Sequence, residues 1–311
     1  MKAPYYESRF IRANHPQRPQ GVWLRETLLL TSPGAESADV WVMVFDPEGE
    51  GNRALKQPYP IEDAEFVSDP WTARIGETTI DDAAARGSLR GPRSSSWDLG
   101  ITVGGEPVRL LTDRQYSARF PSAKTMVRSP VALFNGHVVI EERRVDLDGW
   151  TGSVNHNWGR RHTSAYAFGQ VCGFDEAPLS SLEIVTARAG IGPVMMPPLT
   201  LLVFRHNGDE LAIRGVLAAR RTTGEYRPFE WSFSARFDDL TLQGEISTQA
   251  GDVIGLNYTD TDGKPKYCYN SAIASCRIRL SGSDSLELTA TRRAMLEILT
   301  DTRHQEVPLL A

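Results

Sequence analysis

The sequence predicts a nearly all-β chain folded as two antiparallel barrels in tandem, and three observations carry that expectation. Apolar residues alternate with period two over most of the chain, and the alternating runs are short and parted by turn-forming dipeptides. Only one short segment suits a helix. The clearest alternation is residues 229–237, FEWSFSARF, where Phe229, Trp231, Phe233, Ala235 and Phe237 share one face and Glu230, Ser232, Ser234 and Arg236 the other. Many short half-buried strands joined by tight turns specify a sandwich or a barrel.

Further strands are expected at 22–30 (VWLRETLLL), 38–46 (ADVWVMVFD), 124–134, 137–147, 166–174, 180–188, 199–206 and 240–248. Turns are expected at Ser32-Pro33-Gly34, Asp46-Pro47, Asn135-Gly136, Asp148-Gly149, Asn207-Gly208 and Asp262-Gly263, where the residue types tolerate turn geometry. The segment 286–299 ends in a helix-like RRAMLEIL, yet Leu286, Leu288, Ala290, Ala294, Leu296 and Ile298 keep one parity, which predicts a strand. The one expected helix is short, around Asp81 to Arg86. No fixed-period repeat is present, which disfavours a propeller or solenoid. A polar, basic stretch at 159–165, GRRHTSA, separates two strand groups and divides the chain into domains 1–162 and 163–311.

Composition bounds the function classes. With 311 residues, 41% hydrophobic and 23% charged, the chain is globular material long enough for two domains. Its net charge of −5 is spread out and leaves no basic footprint, so nucleic acid is not an expected partner. The N-terminal MKAPYYESRFIRANHPQRPQ lacks the apolar core of a signal peptide, and the most apolar stretch, 190–204, is broken by Pro193, Pro197 and Pro198. Cys172, Cys268 and Cys276 are an odd number without CxxC spacing, the pattern of reduced thiols in a cytoplasmic protein rather than of disulfides or structural zinc. No clustered His, Cys or carboxylate spacing predicts a metal site. The G-x-S-x-G, P-loop and G-x-G-x-x-G patterns are all missing, which turns the reading away from familiar hydrolases, nucleotidases and dinucleotide-dependent oxidoreductases.

The segment with chemical promise is Asn155-His156-Asn157-Trp158-Gly159. Strand parity puts His156 and Trp158 on one face and Asn155 and Asn157 on the other. An imidazole can deliver a proton near neutral pH, and an indole face can steady a cation, which together would protonate an alkene and stabilise what forms. The competing reading makes His156 a structural histidine and Trp158 a core plug. Glu183, inside the apolar strand SSLEIVTA, is a second candidate acid if it is desolvated, and a solvated carboxylate if it shares an outer face with Ser181. Trp150, Tyr166 and Gln170 are candidate lining groups by their nearness to the motif, and Trp23-Leu24-Arg25 and Trp41 either line a cavity of the first barrel or simply pack in its strands. Met195 and Met196, among prolines, suit a pocket rim that could admit apolar substrate from a membrane surface, or an internal corner.

The string SVNHNWGRRHTSAYAFGQVCGF resembles the histidine-x-tryptophan-glycine signature of the carotenoid 1,2-hydratase (hydroxyneurosporene synthase) family, which has tocopherol cyclase and the lipocalin-like Diels-Alderases as more distant relatives. The opening ESRFIRANHPQRPQGVWLRETLLL with ADVWVMVFD, and the later MPPLTLLVFRHNGDEL, are similar to that group in the same order across residues 7–214. The resemblance implies lipocalin-like barrels with a pocket within or between them, and chemistry on isoprenoid or other polyunsaturated substrates without metal or organic cofactor. It carries the roles of the motif's histidine and tryptophan onto His156 and Trp158. One departure is Asn155, where the hydratases more often have an acidic residue that would raise the pKa of the following imidazole. The expected function is therefore a cofactor-independent hydratase or cyclase of an apolar unsaturated small molecule, with a pericyclase and a non-catalytic isoprenoid or lipid carrier as rivals.

Overall fold

The computed structural model describes residues 2–188, 190–191, 194–195, 197–282 and 285–311, with the backbone alone at 190–191 and 194–195. Strand accounts for 63% of it and helix for 5%. The first sheet contains β1 (Tyr5–Asn14), β2 (Gly21–Leu30), β3 (Glu36–Phe45), β4 (Arg53–Tyr59), β5 (Ala64–Ser68), β6 (Trp71–Ile75), β7 (Thr78–Asp81), β8 (Ala84–Leu89), β9 (Ser95–Thr102), β10 (Val108–Arg109), β11 (Ala123–Ile140) and β12 (Arg143–Gly159). Its order is β4-β3-β2-β1-β12-β11-β9-β8-β7-β6-β5, with β10 beside β11. The second sheet contains β13 (Ala165–Cys172) and β14 (Ser181–Arg188), and resumes, after the small β15 (Gly190–Ile191) and β16 (Val194–Met195) pair, with β17 (Leu199–His206) and β18 (Asp209–Ile213). It is completed by β19 (Thr222–Arg227), β20 (Glu230–Arg236), β21 (Thr241–Ser247), β22 (Ile254–Thr259), β23 (Pro265–Ser281) and β24 (Leu286–Thr300). Its order is β18-β17-β14-β13-β24-β23-β21-β20-β19, with β22 beside β23.

Both sheets are antiparallel and curl into nearly closed barrels, each filled by the inward residues of its strands. Trp231, Phe233 and Ala235 point inward from β20, as the alternation requires. β24 keeps its parity through a bulge at Arg292, so Leu288, Ala290, Ala294, Leu296 and Ile298 all reach the second core.

Two local expectations are corrected. The segment at Asp81 to Arg86 is not helical but joins β7 to β8, while the α-helix of the described residues is α1 (Asp113–Ser117), closed by a Thr112–Gln115 capping box. Asn135-Gly136 and Asp148-Gly149 are not turns either. They face one another inside the long β11–β12 hairpin as irregularities, with the Gly149 N–H donating to Asn135 Oδ1 at 2.8 Å. Gly136 sits at φ +129°, where an added Cβ would come within 2.0 Å of the Asp98 carbonyl oxygen of β9. The chain reverses instead at Glu141-Glu142, both at positive φ (48° and 71°), so the segment 137–147 expected as one strand is the tip of the hairpin, split between β11 and β12.

The barrels meet along strands that are largely buried on both faces. Even-numbered residues of β1 and odd-numbered residues of β12 turn toward the second barrel, where Tyr166, Phe168 and Gln170 of β13 and Met295, Glu297 and Leu299 of β24 meet them. A shared core of Phe10, Trp23, Trp41, Phe168, Met295 and Leu299 fills part of this seam.

Candidate active site between the barrels

Where the seam opens, it encloses a cavity of about 450 Å³. That lies within the roughly 300–1,000 Å³ of sites that bury a small organic molecule. Leu110, Leu111, Phe120, Val185, Leu199 and Leu201 make an apolar wall. The opposite side is polar and comes from both barrels: Tyr6 and Arg25 from the first, His162 from the connection, and Tyr166, Tyr258 and Glu297 from the second.

Two hydrogen-bonded groups organise that polar side. In the first, Tyr166 donates its hydroxyl to Glu297 Oε1, Arg25 Nη1 lies 3.6 Å from Glu297 Oε2, and Arg25 also bonds the Tyr258 hydroxyl and, at 2.7 Å, Ser8 Oγ. Burial works against the Arg25 charge, but Tyr258 and Glu297 outweigh it and hold the guanidinium above its ordinary pKa. Burial, reinforced by Glu297, pushes the Tyr166 phenol far up, so it remains a neutral donor. In the second group, His162 Nδ1 meets Asp260 Oδ1 at 3.0 Å and the ring stacks on Tyr6 at 3.8 Å. Burial raises the Asp260 carboxyl, yet the bond and charge of His162, together with the Thr261 N–H and Lys266, outweigh it and leave it below the usual range. Nδ1 is thus committed, and Nε2 is the ring nitrogen left for a bound molecule.

Of the residues singled out from sequence, Tyr166 and Asn157 line this cavity, with Thr125 Oγ1 donating to Asn157 Oδ1 at 2.7 Å. Trp41 lines a smaller neighbouring cavity. His156 and Trp158 do share a face, stacked at 4.3 Å, but alternation turns it into the first barrel, away from Asn157, and neither residue lines either cavity. There His156 Nε2 meets Glu7 Oε1 at 2.9 Å, so the carboxylate that Asn155 does not supply comes from β1. Burial drives the imidazole below its ordinary pKa despite Glu7. Glu7 itself resists its burial through bonds from His156 and Tyr5 and the charge of Arg9, and stays ionised.

Asn155, Gln170 and Glu183 meet instead in a buried polar knot between the barrels. Gln170 Oε1 accepts from Arg12 Nε (2.8 Å) and Ser153 Oγ (2.7 Å), while its Nε2 donates to Asn155 Oδ1 (3.0 Å) and Glu183 Oε2 (2.8 Å). Glu183 is 3% exposed, so the solvated-face reading does not hold, and burial lifts its carboxyl to about 8. It is nonetheless not part of the cavity wall. Trp150 is buried in the core of the first barrel. Met196 lies outside the described residues, and so does the side chain of Met195.

Sequence reasoning passed over His162, Asp260 and Glu297, and it gave Arg25 only as a possible lining group of the first barrel, not as part of a buried charge cluster between the barrels. A usable signal existed for two of them. WLRETLLL and AMLEIL are apolar at both parities, which marks strands covered on both sides, so the Arg25 and Glu297 charges within them had to be buried and partnered.

The fold and cavity define a two-barrel protein with a cavity between its barrels, lined by polar groups from both and large enough for a small organic molecule. Solved structures share this architecture at low identity. Kievitone hydratase from Nectria haematococca superposes with a TM-score of 0.57 at 9% identity, covering 96% of this chain and 90% of its own. A protein assigned to AttH from Nitrosomonas europaea gives 0.53 at 10% identity, over 94% and 91%. Among curated sequences, an uncharacterized protein of Mycobacterium tuberculosis, present from two strains, is 26% identical over 273 residues, spanning 86% of this chain and 78% of the relative. No protein-family profile matches the chain. No described helix is long and apolar enough to cross a membrane.

Proposed function

We propose that this protein is a hydratase acting on an apolar, unsaturated small molecule held between its barrels. The observation that carries the reading is the pairing, in one cavity, of an aliphatic wall with the oriented acid–base groups His162–Asp260 and Tyr166–Glu297–Arg25. A carrier of hydrocarbons gains nothing from burying a guanidinium and a carboxylate beside its ligand, since each ion costs several kcal/mol to desolvate. A catalyst does gain, because fixed charges and donors act without reorganising when charge develops on the substrate.

In this reading His162, held in one orientation by Asp260, transfers the proton, and the faces of Tyr6, Tyr166 and Tyr258 border the carbon that becomes positive. Asn157 and the Arg25–Glu297 pair orient the polar end of the substrate. That a structural neighbour sharing the fold is named a hydratase is consistent with the assignment. A cyclase would use the same proton transfer and differ only in the absence of water at the cation.

The test is incubation of purified protein with a panel of isoprenoid alcohols, prenylated phenols and linear polyenes, with products read by mass. A gain of one water is the expected outcome, and an isomer of unchanged mass would mean cyclisation. His162→Ala and Glu297→Gln should each lower kcat by roughly 10²–10⁴-fold, with ligand affinity within a few-fold of wild type. Tight binding without any product across the panel, or full turnover by His162→Ala, would end the proposal.

A further inference from the structure

A second cavity of about 70 Å³ lies behind the polar side of the first. Tyr6, Arg25, His162 and Tyr258 line both, so these four side chains form a partition with a space on each side. The two spaces differ in chemistry. The larger is walled mainly by aliphatic and aromatic carbon, whereas the smaller is ringed by Ser8, Thr27, Ser37, Asp39 and Lys56 under the Trp41 ring. Asp39 is held by Lys56 Nζ at 3.3 Å, and Trp41 Nε1 donates to Thr27 Oγ1 at 3.1 Å. Lys56 and Thr259, both exposed, mark where the smaller space meets solvent. A void this size has room for a few waters, and a water is retained where two to four polar partners surround it.

We propose that the smaller cavity is the water site of the hydration, supplying the second reactant across the partition of Tyr6, Arg25, His162 and Tyr258. The inference rests on the hydratase reading above and adds the separate storage of the two reactants. An apolar substrate expels water from its own chamber, so a water held there would be lost on binding. Placed behind His162, it is kept until a cation forms. The step balances without any oxidant or reductant. The His162 Nε2 proton forms a C–H bond as the alkene π bond breaks, the water oxygen bonds to the adjacent carbon, and the surplus water proton returns to Nε2. With no water in reach, the cation would instead surrender a neighbouring C–H proton to the same nitrogen and leave as an isomerised alkene.

Ser37→Cys provides a reversible plug. The natural cysteines, Cys172, Cys268 and Cys276, are all buried, so methyl methanethiosulfonate should cap position 37 alone, and dithiothreitol should remove the cap from the same folded sample. Capping is expected to lower the ratio of hydrated to isomerised product at least tenfold, with substrate affinity within threefold, and reduction should restore it. High-resolution crystal structures of the uncapped and capped protein provide a readout independent of turnover, with ordered waters bridging Asp39, Thr27 and Tyr258 expected only in the former. A product ratio unmoved by a cap seen in the smaller cavity, or a smaller cavity that is dry in the uncapped protein, overturns the water site while leaving the hydratase reading intact. Absence of hydrated product from the uncapped protein across the whole panel removes the hydratase reading itself.

Discussion

Glu183 is a carboxyl group whose solvation has been replaced by a single amide. Its Oε2 accepts from Gln170, while its Oε1 has no partner among the described residues, and burial lifts its pKa from 4.5 to about 8. Glu26, inside the first barrel, is in the same position: Oε1 accepts from Thr78 at 2.8 Å, Oε2 is unpartnered, and burial again lifts the pKa to about 8. The sign of the consequence follows from which state holds the proton. Below pH 4.5 both folded and unfolded chains keep these carboxyls protonated. Between 4.5 and about 8 the unfolded chain releases the protons and the folded chain keeps them, so stability is full in acid and declines as pH rises through that window. Glu183→Gln, which preserves the acceptor and cannot ionise, should therefore leave stability unchanged at pH 4.5 and raise it by up to a few kcal/mol at pH 8. Urea unfolding at the two pH values measures it, and an equal effect at both would show that desolvation is not what governs this group.

At the scale of elements, the β11–β12 hairpin shows what the sequence conveyed and what it did not. Alternation marked parts of these strands at 124–134 and 137–147 because each inward side chain must meet a core, but it divided them in the wrong places, and that β1, β13 and β24 are buried on both faces was not read from it. Turn chemistry was a weaker guide. Asn-Gly and Asp-Gly tolerate positive φ, but the hairpin spends that tolerance on paired irregularities in mid-strand, while Glu141 and Glu142 take the reversal. Glu141 has Arg93 and Arg53 as partners at this turn. Glu142 has no ion-pair partner among the described residues, so its left-handed conformation is not offset in that way. Glu142→Gly should stabilise the protein by about 0.5–1 kcal/mol, the left-handed cost of about 1–2 kcal/mol less the extra chain entropy of glycine. A fall in thermal midpoint would mean that the turn is held by contacts of the Glu142 side chain. The candidate site was legible only in part for a related reason. Parity correctly separated His156 and Trp158 from Asn157, but parity does not say which face of a two-faced strand borders a void, and His162 and Asp260 meet across 98 residues of sequence with no local pattern to pair them.

For the molecule as a whole, the two barrels can share one cavity only if their seam holds still, and Gln170 is where that depends on a single side chain. Arg12 and Asn14 of the first barrel reach Gln170, Cys172 and the Ala272 carbonyl of the second, while Ser153 and Asn155 return to Gln170 from β12. Arg12 is completely buried, and its charge is solvated mainly by neutral oxygens: Gln170 Oε1, the Gln170 carbonyl at 3.1 Å and Asn14 Oδ1 at 2.7 Å. Gln170→Leu keeps the volume and the β13 backbone but removes four side-chain hydrogen bonds at once, leaving Arg12 Nε and the Glu183 carboxyl without that partner while Asn14 Oδ1 and the Gln170 carbonyl still hold the guanidinium. The cost expected for leaving buried polar groups unsatisfied is about 1–3 kcal/mol each. Because the knot ties the barrels and lies outside the cavity wall, the loss should also split unfolding into two transitions, followed in urea by the fluorescence of Trp150 in the first core and Trp231 in the second, each as the single tryptophan of its own variant. A single transition with a loss below 1 kcal/mol would place the cohesion of the two barrels in the apolar seam around Phe10, Trp23 and Phe168, with the polar knot merely accommodated beside it.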